Sequence, residues 1–147
     1  MERSKRLKPV QEIADNREQA AAQRMLLSEA EWRRQQERLD ELNCYRAEYS
    51  HHFEQSCSTG IDSVRLQDYR RFLSNINIAI EQQRRVVAVT QKKHQADKQV
   101  WLDLRTKAKA IDKAVQRIRE KEAQIDERQE QRLLDDSLHG MRIKKED

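Results

Sequence analysis

The chain has 147 residues, of which 38% are charged, 36% hydrophobic and 5% aromatic. It contains two Gly and one Pro, where average usage of about 7% Gly and about 5% Pro would supply roughly ten and seven. Sheets need turns rich in these residues, so the composition excludes all-β and α/β folds. With a mean hydropathy of −1.11, the chain also has too little apolar surface for a round globule. We therefore predict a long, thin, helical protein.

The charge of the chain is divided between its two halves. Residues 9–59 hold six basic and ten acidic side chains, a net charge of −4. Residues 62–121 hold fifteen basic and seven acidic side chains, a net charge of +8. Because the two halves have opposite net charge, we expect them to pair through interspersed surface contacts, each worth about 0.2–1 kcal/mol.

No segment has the composition of a membrane span or a secretion signal. A span needs roughly 18 apolar residues, and the residues after Met1 are mostly charged. We expect a cytoplasmic protein. Cys44 and Cys57 are too few for a disulfide framework, so we expect reduced thiols.

The helix-breaking residues divide the chain into two helical stretches. Pro9 suits a first helical turn and predicts a first helix over about 9–56. The small polar residues around Gly60 predict a turn over about 57–61, with Asp62 as the cap of the next helix. Gly140 suits a position just after a helix, so the second helix is predicted over about 62–138, before a short C-terminal tail. Residues 1–147 are expected to form a single elongated coiled-coil domain.

The second stretch carries a coiled-coil seam, which is a row of positions separated by alternating steps of four and three residues. The row runs without a slip from Tyr69 to Ile125, and the first stretch has a weaker version interrupted by polar residues such as Gln35. The pattern predicts an all-α antiparallel two-helix coiled-coil hairpin with a longer second helix.

Folding the chain back at residue 59 or 60 places residue i near residue 118 minus i. Tyr49 then lies beside Tyr69, and Trp32 lies near Val86 and Val87. By this rule the N-terminal end of the first helix lies beside a residue near 108, whereas the seam of the second helix continues beyond that residue. We therefore predict that residues 109–138 lack an internal partner and form a docking segment or a frayed end. Its seam residues are Ile111, Val115, Ile118 and Ile125.

The sequence offers little for catalysis or for binding of metals and cofactors. Two isolated glycines cannot form a phosphate-binding loop. His51 and His52 point about 100° apart on a helix, which is the wrong spacing for shared metal ligation. His94 occupies a seam position and is interpreted as a polar residue that sets the register. We expect no enzyme activity, no catalytic residue, no metal and no cofactor.

A second stripe follows its own spacing of three and four on one flank of the seam. Extra packing between the helices and a partner-binding patch both remain open as its role. Its residues are Leu42, Tyr45 and Tyr49 on the first helix, and Phe72, Ile76, Ala79 and Gln83 on the second.

The segment from Leu42 to Gln83 resembles the FliJ family of flagellar type III export proteins. The resemblance lies in Tyr45-x-x-x-Tyr49, in Ser58-Thr59-Gly60-Ile61 and in the row Tyr69-x-x-Phe72-Leu73-x-x-Ile76-x-x-Ala79-Ile80-x-x-Gln83. It implies a hairpin similar to the central gamma stalk of rotary ATPases.

The resemblance also implies a function without chemistry of its own. Such a protein binds the hexameric export ATPase, promotes its activity, couples it to the cytoplasmic domain of the membrane export gate, and escorts export chaperones. It would be peripheral at the inner face of the cell membrane through these partners. The gate-binding face would comprise Leu42, Tyr45, Tyr49, Phe72, Ile76, Ala79 and Gln83, and the ATPase ring would receive Ile111, Val115, Ile118 and Ile125.

Two other functions remain open from the residues. One is a cytosolic coiled-coil tether or adaptor, closed on itself or dimerised through the second helix. The other is a nucleic-acid binder, because the second helix carries the basic pairs Arg70-Arg71, Arg84-Arg85 and Lys92-Lys93. The sequence also leaves open whether the apparatus is flagellar or a related injectisome.

Overall fold

A computed structural model describes residues 2–146 of the chain. Helix α1 spans Glu2–Cys57 and has 56 residues, and helix α2 spans Ser63–Glu146 and has 84. No strand occurs among the described residues. The predicted all-α helical hairpin with a longer second helix is confirmed.

The turn between the helices lies where the small polar residues predicted it. The Gly60 N–H donates to the Cys57 carbonyl at 3.3 Å, and Gly60 has a φ of 91°, a left-handed conformation that glycine adopts without strain. Asp62 Oδ1 accepts a hydrogen bond of 2.9 Å from the Arg65 N–H, which satisfies one of the free donors at the start of α2. Asp62 is therefore the N-terminal cap of α2, as predicted.

The prediction that the first helix begins near Pro9 is wrong, because α1 begins at Glu2 and contains Pro9. A proline inside a helix removes one hydrogen bond and costs about 3 kcal/mol. Contacts of the first turn offset this cost: Ser4 is buried, its N–H donates to Glu122 Oε1 at 3.2 Å, and its hydroxyl donates to Glu122 Oε2 at 2.7 Å. Tertiary contacts thus outweigh the local preference of Pro9.

The predicted end of the second helix near residue 138 is also wrong, because α2 continues to Glu146. Gly140 lies inside the helix, and its φ is not positive, so it does not end the helix. A glycine in a helix interior costs only about 1 kcal/mol relative to alanine. Lys144 and Lys145 lie in the last turn, where positive charge stabilises the helix dipole.

The described chain forms two compact units, and unit 2 comprises Ala21–Trp101. Buried side chains at seam positions of α2 form most of its apolar core, with Ile80 only 2% exposed. Two polar residues of α1, Ser28 and Gln35, are buried in the same unit. The apolar core residues of unit 2 are Ala21, Ile76, Ile80 and Val87.

The antiparallel register of unit 2 agrees with the predicted rule at two pairs and departs from it at Trp32. Gln83 bonds Gln35, and Tyr49 stacks on Tyr69, as the rule requires. Trp32 stacks on His94 with ring centroids 5.6 Å apart, instead of lying near Val86 and Val87. Side chains on helices lean toward the N-terminus of their own helix. In an antiparallel pair the N-termini point in opposite directions, so side chains on the two helices lean in opposite directions along the pair. Two rings can then meet although their backbones are offset, and the numbers of the two residues add up to more than the 118 of the rule.

Unit 1 combines α1 through Ala20 with α2 from Leu102 onward. Val115 is 1% exposed and Ala108 is buried, and both occupy seam positions of α2. Gln11 Nε2 donates to Asp112 Oδ1 at 3.1 Å, which links the two helices on the exposed side of this core. Unit 1 is therefore a second pairing of α1 with α2.

The prediction that α2 lacks a partner after residue 108 is wrong for three of the four seam residues named for it. Val115 is buried, and Ile111 and Ile118 are half-buried, because α1 begins seven residues earlier than predicted and its first turn reaches Glu122. Ile125 is 54% exposed. The part of the α2 seam that stays exposed thus begins after Glu122.

Candidate partner-binding surfaces

Five aromatic side chains of unit 2 lie close to the turn, and we call them the aromatic cluster. Tyr49 contacts Phe72 with ring centroids 3.9 Å apart, and Tyr45 meets Phe72 edge-on at 5.4 Å. Phe53 stacks on Tyr69 at 3.7 Å. The Tyr69 hydroxyl donates to Ser50 Oγ at 3.1 Å. Each ring is thus held by a ring of the other helix, and aromatic pairs add about 0.5–1.5 kcal/mol beyond burial of their area.

The cluster is only partly covered by the rest of unit 2. Tyr45 is 53% exposed and Tyr49 is also exposed, while Leu42, Phe72 and Ala79 are half-buried. Exposed aromatic side chains that are already fixed in place are typical of binding hot spots, because little conformational entropy is lost when a partner covers them. The cluster therefore packs the two helices together and leaves aromatic surface exposed.

Two residues predicted for the gate-binding face lie inside the unit instead. Ile76 is buried in the core, since it occupies the seam as well as the flank. Gln83 is half-buried, and its Nε2 donates both to the backbone carbonyl and to the side-chain Oε1 of Gln35, each at 2.9 Å. The exposed part of the predicted face is thus centred on its aromatic residues.

The Gln83 contact belongs to a polar network that runs from the core to the surface. Gln35 Nε2 donates to Glu31 Oε1 at 2.8 Å, and Arg34 donates to Glu31 Oε2. The hydrogen bond from Gln35, followed by the hydrogen bond and positive charge of Arg34, lowers the pKa of Glu31 below its ordinary value despite some desolvation. The network stabilises the charged carboxylate and gives the buried Gln35 amide a partner for both its oxygen and its nitrogen.

A second apolar surface lies on α2 between residues 125 and 143, which we call the α2 tail. Its large apolar side chains are all more than half exposed, and Leu133 reaches 70%. The seam positions that follow Ile125 are polar until Ile143, whereas Leu134, Leu138 and Met141 repeat the seam spacing on another face. The exposed apolar residues of the tail are Ile125, Leu133, Leu134, Leu138, Met141 and Ile143.

Neither surface contains the residues of a metal centre. Within residues 2–145, no group of three or more His, Cys, Asp or Glu side chains could hold a metal ion. Cys44 and Cys57 are exposed free thiols, and the rings of His51 and His52 are tilted, with centroids 6.5 Å apart. No helix in the described part of the chain is long and apolar enough to cross a membrane.

A protein-family model matches this sequence. This family model, described as Flagellar FliJ protein, matches residues 3–146, which is nearly the full chain. The chain belongs to the FliJ family. No curated protein and no solved structure matches it. Membership of the FliJ family makes the protein a component of the flagellar export apparatus.

Proposed function

We propose that this FliJ-family protein couples the hexameric export ATPase to the membrane export gate without chemistry of its own. The observation that carries the proposal is the aromatic cluster, whose rings are fixed by contacts between the helices while Tyr45 stays 53% exposed. Through the gate, the protein would be peripheral at the inner face of the cell membrane.

The aromatic cluster is the proposed contact with the cytoplasmic domain of the gate. Tyr45, Tyr49 and Phe72 form its accessible centre, with Leu42 and Ala79 at the border. Ile76 lies beneath this surface in the core, and the half-buried Gln83 beside it bonds Gln35. A partner that covers the three rings would bury apolar area without having to order them first.

The gate contact is tested by Tyr45→Ala and Phe72→Ala, with binding to the isolated cytoplasmic domain measured by calorimetry. Loss of an aromatic anchor should cost about 2 kcal/mol or more, which weakens affinity roughly thirtyfold. Ile78→Ala is the matched control, because Ile78 is also exposed on α2 of unit 2 but does not belong to the cluster. An unchanged affinity for Tyr45→Ala, with helicity intact, would contradict the proposal.

The α2 tail is the proposed contact with the ATPase ring. An exposed apolar helix face is marginal in water and is stabilised when a partner covers it. Of the residues that the sequence named for this role, Ile125 is exposed, while Val115 belongs to the core of unit 1 and Ile111 and Ile118 border it. We therefore centre the proposed contact on the exposed residues Leu134 and Leu138.

The tail contact is tested by Leu134→Asp combined with Leu138→Asp, with stimulation of the ATPase as the measurement. Both side chains are exposed, so the variant should keep its fold and lose most of the stimulation. Leu26→Asp is the control, since Leu26 is comparably exposed in unit 2. Full stimulation by the double variant would count against the tail as the ring contact.

The escort of export chaperones is the third part of the proposal and rests on family membership. It predicts that the protein copurifies with export chaperones as well as with the ATPase. If the protein has no effect on the ATPase and has twice the monomer mass in solution, a general coiled-coil tether would be the better description.

A further inference from the structure

A stripe of small apolar side chains runs along α2 on the surface of unit 2. Val86, Val89, Ala96 and Val100 are all exposed, and Val89 is 68% exposed. We call these four residues the valine stripe. Val86 lies seven residues after Ala79, and Val100 lies fourteen residues after Val86. In a helix with a seam of period 3.5, such spacings keep residues on the same flank. None of the four residues belongs to the apolar core of unit 2.

The valine stripe borders a depression whose other wall comes from α1. Lys93 stands between Val89 and Ala96 in the same row and lines this depression. On α1, the exposed Leu27 lines it as well. An apolar side chain seated in this depression, beside Lys93 and Leu27, could therefore touch both helices. The other residues of the depression are Arg24, Ser28, Glu31, Thr90 and Asp97.

Positive charge borders the valine stripe on its outer side. Arg85 and Lys92 are exposed and lie seven residues apart, so they form the row next to the stripe, and Lys93 adds a third positive charge within it. Arg24 adds a fourth from α1, against the carboxylates of Glu31 and Asp97. The Glu31 carboxylate already accepts hydrogen bonds from Gln35 and Arg34. The border thus favours acidic groups on a partner.

The shape and chemistry of the stripe indicate what kind of partner fits. The helices use their own backbone donors and acceptors internally, so a partner that lies along them must also satisfy its backbone by itself, as a helix does. Valine and alanine let a second helix approach closely. Lipid-binding faces, in contrast, usually carry Trp, Phe or Leu, which the stripe lacks. From Val86 to Val100 the stripe is roughly 21 Å long, or about four helical turns.

We propose that the valine stripe binds an amphipathic helix of another protein, whose apolar face is bordered by acidic residues. The choice rests on charge complementarity. The positive charges of Arg85 and Lys92 beside the stripe, and of Lys93 within it, attract such a helix and weaken the binding of a basic one. The contact is distinct from the aromatic cluster and from the α2 tail. This proposal does not depend on the roles proposed for those two surfaces.

The test uses the full chain and two synthetic helical peptides of about four turns. Both have Leu at three-four spacing; one has Glu along both borders, and the other has Lys there. Fluorescence anisotropy should show binding of the Glu peptide that weakens as salt is added, and little binding of the Lys peptide. Val89→Asn, and Lys92→Glu with Lys93→Glu, should each weaken binding of the Glu peptide about tenfold or more.

A control variant reverses charge on the opposite flank of α2. Arg70 and Lys98 lie at multiples of seven residues from Asn77, which accepts a hydrogen bond from Arg46 on that flank. Arg70→Glu with Lys98→Glu should leave the affinity for the Glu peptide unchanged. Tyr45→Ala should also leave it unchanged, which separates this contact from the gate contact.

Four outcomes would overturn the proposal. The first is equal binding of the Lys and Glu peptides, and the second is equal weakening by the control variant. The third is binding to vesicles of phosphatidylserine and phosphatidylcholine that is lost in Val89→Asn, which would make the stripe a membrane contact. The fourth is a doubled mass in sedimentation that Val89→Asn returns to the monomer mass, which would make a second copy of this chain its partner.

Discussion

The two units are built from the same two helices but differ in what lies between them. In unit 2, buried Gln35 and Ser28 share the interior with apolar residues such as Ile80. In unit 1, the buried residues are Ala108, Val115 and Ser4, with Ser4 held by Glu122. Buried polar residues cost stability unless they are bonded, and a partner on the other helix specifies one alignment of the helices. Ser28 bonds the Met25 carbonyl of its own helix, whereas Gln35 bonds Gln83 and Ser4 bonds Glu122 across the two helices. Each unit therefore contains a buried polar contact that specifies register, and the extra buried polar residue of unit 2 adds none.

The largest expected effect is on the apolar core of unit 2. Ile80→Ala should lower the free energy of unfolding by about 2–5 kcal/mol, because it removes buried methyl groups and leaves a cavity. Ile78→Ala, two residues away on the exposed surface, should change it by less than about 0.5 kcal/mol. Urea unfolding followed by circular dichroism compares the two, and equal effects would show that the described seam is wrong.

The polar contact of unit 2 gives the next largest effect. Gln35→Leu should destabilise the protein by about 1–3 kcal/mol, since Gln83 loses the side-chain partner of its amide. Gln35→Leu with Gln83→Leu should recover much of that loss, because two apolar side chains then meet. A urea series with each single variant and the double variant measures the coupling. If the two single effects simply add, the side chains do not interact.

Val115 tests how far the pairing in unit 1 extends. Val115→Ala should cost about 1.5 kcal/mol or more, from roughly 0.8 kcal/mol for each buried methylene removed and the space left behind. Ile125→Ala should cost less than about 0.5 kcal/mol, because Ile125 is 54% exposed. Amide hydrogen exchange would locate the effect. If the amides near residue 115 keep the same protection from exchange in Val115→Ala, the result would support an unpaired α2 beyond residue 108.

The smallest expected effect is a dependence of stability on pH through Glu31. Its pKa is lower in the folded protein, so its contribution to stability is present above the pKa of the unfolded chain and is lost as the pH falls through the folded value. Glu31→Gln should therefore lose less stability than the parent protein between about pH 6 and about pH 3. Glu37→Gln is a control on an exposed position of α1. Identical pH profiles for Glu31→Gln and the parent would contradict this role.

Much of the fold was predictable because it depends on short-range patterns. The row of apolar residues at alternating spacing predicted the seam positions of Ile80 and Val115, although it did not predict that Val115 is buried. A glycine among small polar residues predicted the turn, and Asp62 predicted the cap. The aromatic stripe identified the cluster around Phe72, since rings on two helices near one turn come together in any antiparallel hairpin.

The errors arise where a local preference is too weak to decide the structure. Pro9 disfavours a helix by about 3 kcal/mol, but its helix gains the contact of Ser4 with Glu122. Gly140 costs only about 1 kcal/mol, which is too little to end the helix even in the exposed α2 tail. The position of Trp32 depends on the lean of two side chains, which a rule based on residue numbers ignores. The exposure of the α2 tail follows from where α1 begins.

The sequence alone determined that this protein is two helices joined at Gly60, because helix propensity, the seam and the turn are properties of neighbouring residues. Only the tertiary structure decided which apolar residues stay exposed. Because α1 begins at Glu2, before Pro9, its first turns cover Val115. Tyr45 and the valine stripe stay at the surface. The reason is physical: burial depends on the residue of the other helix that lies opposite, and the sequence of one helix does not specify its distant partner.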